Sequence, residues 1–119
     1  MAREKRRSRR KQVRNMAISL RPLDPQVWFR FWSGTECTLR DISLVGVGVY
    51  ARDNIPVGTL LSINLRLGKR ASTIRVFGKI AWSCEESGRY RTGISFSWWK
   101  DDQDKIHLSN FLEKLMNTN

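Results

Sequence analysis

Most of this chain alternates with a period of two. Met16, Ile18 and Leu20 alternate with Ala17 and Ser19, and Val45, Val47 and Val49 alternate with Gly46, Gly48 and Tyr50. Leu61, Ile63, Leu65 and Leu67 are spaced by Ser62, Asn64 and Arg66. Ile74, Val76, Gly78, Ile80 and Trp82 keep the same rhythm, and Ile94 and Phe96 share one side of Tyr90–Ser97. This period belongs to strands with one face buried. Val27–Trp32 (VWFRFW), the Ser33-Gly34 turn and the extended Thr35–Leu39 read as a hairpin. Turn chemistry separates the runs at Arg21–Gln26, Asp53–Gly58, Gly68–Ser72 and Glu85–Arg89. Only the last segment changes period. Leu108, Phe111, Leu112 and Leu115 follow helical spacing behind Asp101, Asp102 and Asp104, so a helix over about 101–116 carries acids at its positive end. The expected fold is mostly β: a small six-stranded antiparallel β-barrel with a C-terminal α-helix whose apolar stripe covers an open end or face.

A chain of 119 residues supplies one core and little more. A barrel of that size has no room inside for a large ligand, so a site belongs on its outer surface where a loop meets the wall. No apolar run reaches the length of a membrane span, and no apolar stretch follows the N-terminal charges as in a secretory signal. Cys37 and Cys84 form neither a CxxC pair nor a disulfide framework, and His107 is the single histidine. Cytoplasmic location with reduced thiols is the expectation. No glycine-rich phosphate loop or triad is visible, and Cys84 and His107 lack an orienting carboxylate, so neither enzymatic activity nor a cofactor is expected.

The positive charge is concentrated at one end. Arg3, Lys5, Arg6, Arg7, Arg9, Arg10, Lys11 and Arg14 face only Glu4, a net +7 within fourteen residues of a chain whose total is +11. Such a run repels itself, so residues 1–14 are expected to be a flexible basic arm or ligand loop, with the barrel over 15–119. A solvated tail, a nucleic-acid or anionic-membrane arm and a loop that closes on one phosphate ligand all fit this composition. Arginine outnumbers lysine six to two, which favours planar, bidentate recognition of phosphate oxygens or the guanine O6/N7 edge.

Two short motifs carry chemistry. The first is a pair of arginines four apart, met both as Arg10 and Arg14 (RKQVR) and as Arg6 and Arg10 (RRSRR). The second is Asp41-Ile-Ser43-Leu-Val-Gly46 (DISLVG) at the start of the Val/Gly strand. In one reading the second motif only builds a turn, with Asp41 capping it, Ser43 closing it and Gly46 allowing the bend. In the other it is half of a binding site. Trp82 is either a rim or core aromatic or a stacking surface for a base. Trp98 and Trp99 are expected in the core beside the helix, and Trp28, Phe29, Phe31 and Trp32 in the core and helix contact.

The order of these pieces resembles the PilZ domain: an arginine pair, DxSxxG about thirty residues on, GKIAW at Gly78–Trp82, YRTGISF at Tyr90–Phe96 and a closing helix. The resemblance runs from about Arg6 to about Leu115. It implies a bacterial receptor for cyclic di-GMP that acts on a downstream effector protein. Carried onto this sequence, it implies that Arg10 and Arg14, or Arg6 and Arg10, grip guanine and phosphate, with Arg6 and Arg9 as secondary phosphate contacts. Asp41 would accept from guanine N1–H and N2–H₂, Ser43 would add a hydroxyl, and Gly46 would let the ligand approach the wall. The competing reading is a general nucleic-acid-binding basic barrel.

Overall fold

The computed structural model describes residues 11–12, 17–24, 35–66 and 73–116. Among the described residues, seven strands precede one helix: β1 (Lys11–Gln12), β2 (Ala17–Pro22), β3 (Thr35–Ile42), β4 (Gly46–Ala51), β5 (Leu60–Arg66), β6 (Thr73–Glu86), β7 (Arg89–Trp99) and α1 (Asp102–Met116). Six of them pair in the order β3–β2–β5–β6–β7–β4, and β4 pairs back onto β3, so the hydrogen bonding runs around a ring. Every pairing is antiparallel. Ser19–Glu36 and Leu20–Thr35 join β2 to β3. β1 lies beyond that seam and pairs with the other end of β3, Lys11 opposite Ile42 and Gln12 opposite Asp41.

The alternation predicts which face is buried. Ile18 and Leu20 of β2, Val47 and Val49 of β4, Leu61, Ile63 and Leu65 of β5, Ile74, Val76 and Ile80 of β6 and Ile94 of β7 all enter one core. Leu108 and Leu112 of α1 join it, with Phe111 and Leu115 packed against it, so the helix stripe is covered as its spacing predicts. Asp101 Oδ1 accepts the Gln103 N–H at 2.9 Å, capping the start of the helix. Asp104 Oδ2 accepts the Arg75 backbone N–H at 3.0 Å, tying the helix to β6. Among the described residues no helix is long and apolar enough to cross a membrane.

Three expectations change. The turn expected over Glu85–Arg89 is only Ser87-Gly88, because pairing continues through Glu85–Tyr90 and Glu86–Arg89. Trp98 is not in the core. It is 59% exposed, while Trp99 turns inward against Phe96. The cause is a register shift that skips Ser97, pairing Phe77 with Trp98 but Gly78 with Phe96, so Trp98 takes the outer face and Trp99 the inner one. Trp82 likewise leaves the inward row, for a reason given below. Most of the expected arm and the Val27–Trp32 strand, with Trp28, Phe29, Phe31 and Trp32, lie outside the described residues.

Leu108 is fully buried where the helix closes the barrel. Leu108→Ala should therefore cost about 2–5 kcal/mol in urea unfolding, whereas Ile106→Ala, on the exposed side of the same helix, should stay within about 0.5 kcal/mol.

Candidate ligand-binding site

Strand parity decides where Asp41 points. Leu39 and Ile42 are both core residues, which strict alternation forbids for positions three apart. A register shift between Leu39 and Asp41 resolves the conflict: Leu39 faces Val49 and Asp41 faces Gly48, with Arg40 as the extra residue. Without this bulge Asp41 would point into the barrel. With it, the carboxylate lies on the outer wall and its neighbour Arg40 pairs with it, Nη1 to Oδ2 at 3.1 Å. Asp41 is nonetheless only 9% exposed, because it lies flat over β4. A Cβ on Gly48 would sit 2.9 Å from Asp41 Oδ1, so the missing side chain of Gly48 is the space the carboxylate occupies.

The same device operates on β6. Ile80 pairs with Ile94 and Trp82 with Gly93, so Ala81 is the extra residue and Trp82 turns outward. Its indole lies directly over Gly93, where a Cβ would collide with Nε1 and Cε2. The ladder then aligns Asp41, Gly48, Gly93 and Trp82 across four neighbouring strands. Two glycines form a floor between a carboxylate and an indole that is 42% exposed.

The next row brings together residues that sequence reasoning did not single out. Tyr50 pairs with Arg91. The Arg89 guanidinium stacks on the Tyr50 ring at 3.8 Å and Arg40 lies 6.0 Å from the same ring. The Arg91 guanidinium lies 5.6 Å from the Trp82 ring. Its buried Nε makes no hydrogen bond, although Glu86 Oε1 is 3.6 Å away. A cavity of about 280 Å³ opens beside Tyr50, between Cys37, Thr38 and Arg89. Arg40 is far in sequence from Arg89 and Arg91, and only strand register reveals the three as one cluster.

Ser43 and Gly46 build the turn that follows Asp41. Ser43 is 1% exposed. Its hydroxyl donates to Gly46 O at 3.3 Å and accepts the Val45 N–H at 3.2 Å, while its own N–H donates to Gly46 O at 2.9 Å. Gly46 is small because a Cβ there would strike the Ile94 carbonyl of β7. Arg6, Arg9, Arg10 and Arg14 lie outside the described residues, but β1, the Lys11–Gln12 pair between Arg10 and Arg14, is bonded to the Asp41–Ile42 segment of β3. The described part of the basic segment, Lys11–Gln12, therefore lies beside the strand that carries Asp41. A carboxylate acceptor, an exposed indole and several guanidinium groups on a flat floor suit a planar, donor-bearing, anionic ligand.

The family model for the PilZ domain matches residues 4–114. The chain belongs to the PilZ domain family. That family is known for cyclic di-GMP receptors, and its members are binding and adaptor proteins. Among solved structures, the Bacillus subtilis inhibitor of motility (MotI/DgrA) is similar in fold, with a TM-score of 0.73 and 14% identity. The match covers 98% of this chain and 54% of that one, so this PilZ chain spans about half the length of the neighbour. Comparison with curated protein sequences gives no match.

The Trp82–Gly93 contact is testable. Gly93→Ala should force the indole off the wall, shift tryptophan emission and near-ultraviolet dichroism, and cost about 1–3 kcal/mol in chemical unfolding. Unchanged emission and stability would contradict the contact.

Proposed function

We propose that this PilZ chain is a cytoplasmic, non-enzymatic receptor for cyclic di-GMP that signals to an effector protein. The observation that supports this reading is the pairing of Gln12 with Asp41 and of Lys11 with Ile42. The ligand offers two phosphates and two guanines. Arg10 and Arg14, or Arg6 and Arg10, take a guanine O6/N7 edge and phosphate, and Arg6 and Arg9 add phosphate contacts. Asp41 accepts from guanine N1–H and N2–H₂, which a carboxylate does and an amide nitrogen cannot. Ser43 and Gly46 contribute through the turn that presents Asp41 and through close approach at the wall. The exposed Trp82 face offers a stacking surface beside the Gly48–Gly93 floor.

The route to an effector follows from the same strand. β1 contacts both β3 and α1, and α1 in turn rests on β6 and β7. Ordering the basic segment over the ligand fixes β1, and through it the surface that α1 and the arm offer to a partner. The fold neighbour is an inhibitor of motility, and an adaptor role of that general kind is our reading for this chain.

The test is calorimetric titration with cyclic di-GMP, using GMP and GTP as controls. Arg10→Ala and Asp41→Ala should each weaken binding at least about tenfold while circular dichroism stays unchanged. Wild-type protein that ignores the dinucleotide at high micromolar concentration, or unchanged affinity in both variants, would overturn the proposal.

A further inference from the structure

The wall across the ring from Gly48 has its own chemistry. β5 lies three strands from β4 in either direction around the ring. There the outward side chains of β2, β5 and β6 border an open cavity of about 450 Å³, lined by Ala17, Ser19, Asn64, Arg66, Thr73 and Arg75. Both arginines are exposed, and Arg75 Nε donates to Asn64 Oδ1 at 3.3 Å, which steadies its guanidinium over the groove. Among the described residues the lining contains no carboxylate. Asp104 approaches from α1, but its Oδ2 accepts the Arg75 backbone N–H.

An aromatic platform adjoins this groove. Phe77 follows Arg75 by two positions on the same face of β6, a separation of about 6.6 Å. Trp98 pairs with it from β7, and the two rings stack with centroids 5.1 Å apart and planes at 30°. Phe77 covers one side of the indole, yet Trp98 keeps 59% of its surface in water, the largest exposure of any described aromatic. Lys79, the next outward residue of β6, is also exposed. The Ser97 bulge is what sends Trp98 out to this surface.

Guanidinium groups, hydroxyl and amide side chains and one open indole face on a sheet exterior form a backbone-tracking groove with a stacking surface. A protein hot spot of comparable composition needs an apolar pocket for the partner's anchor, and of the residues lining this groove only Ala17 and Ile18 are apolar. We propose that this face binds single-stranded nucleic acid, with phosphates against Arg66 and Arg75 and a base on Trp98. It lies apart from the cyclic di-GMP site: Trp98 is five residues along β7 from Gly93, about 16 Å of strand.

Fluorescence anisotropy of the full chain with a labelled oligo-dT of about twelve nucleotides, over a range of salt, tests this. The wild type should bind with strong salt dependence. Trp98→Ala, at an exposed position, should weaken binding at least about fivefold with little change in salt slope. Arg66→Glu with Arg75→Glu should weaken it further and flatten the salt slope by about 1.4, the loss of two single-strand phosphate contacts. Circular dichroism and a parallel cyclic di-GMP titration should be unchanged in both variants. The proposal is overturned if the wild type does not bind, if both variants bind as it does and only charge removal in residues 1–14 abolishes binding, or if an oligoglutamate peptide competes as well as the oligonucleotide. Failure of the wild type to bind cyclic di-GMP in the parallel titration would count against the receptor reading alone.

Discussion

A pleated strand turns alternate side chains to opposite faces, and closing six strands into a ring makes that alternation binding on every position. Whatever points inward must fit an apolar interior, and whatever touches a ligand must point out. Among the described residues three bulges, at Arg40, Ala81 and Ser97, reset the alternation. Each one delivers a chemically distinctive residue to the outer wall: Asp41, Trp82 and Trp98. The residues that follow then return to the apolar face, as Ile42 does directly after Asp41. Bulges concentrate beside functional sites because they re-aim one side chain without disturbing the rest of a ladder.

Asp41 shows how far the surroundings are arranged around one group. A nearly buried carboxylate is costly unless it is paired and hydrogen-bonded. Arg40, the bulge residue itself, supplies a cation at 3.1 Å. Gly48 supplies the volume, and the Ser43 turn fixes the chain immediately downstream. Substituting Gly48 would press a methyl group against the carboxylate, so this glycine belongs to the site although it lies outside the DxSxxG spacing.

β1 joins the candidate site to the helix: Lys11 and Gln12 pair with β3 beside the carboxylate, and β1 also touches α1, where the barrel is closed.

The sequence by itself determined the layers and the family. Period-two runs of Ile, Val and Leu have one low-energy use, a half-buried strand, and the Leu108–Leu115 stripe has one use as a covering helix. The DISLVG turn, together with the arginine pairs, carried the resemblance that the family match bears out. Tertiary structure alone decided sidedness at the bulges and the company each residue keeps. Trp82 continues the inward rhythm of Ile74 to Ile80 in sequence, and nothing local signals that Ala81 will be skipped, because a bulge is settled by pairing across strands. Arg40, Tyr50, Arg89 and Arg91 form a cluster only once β3, β4 and β7 are in register, and register is a property of two strands that neither one encodes alone.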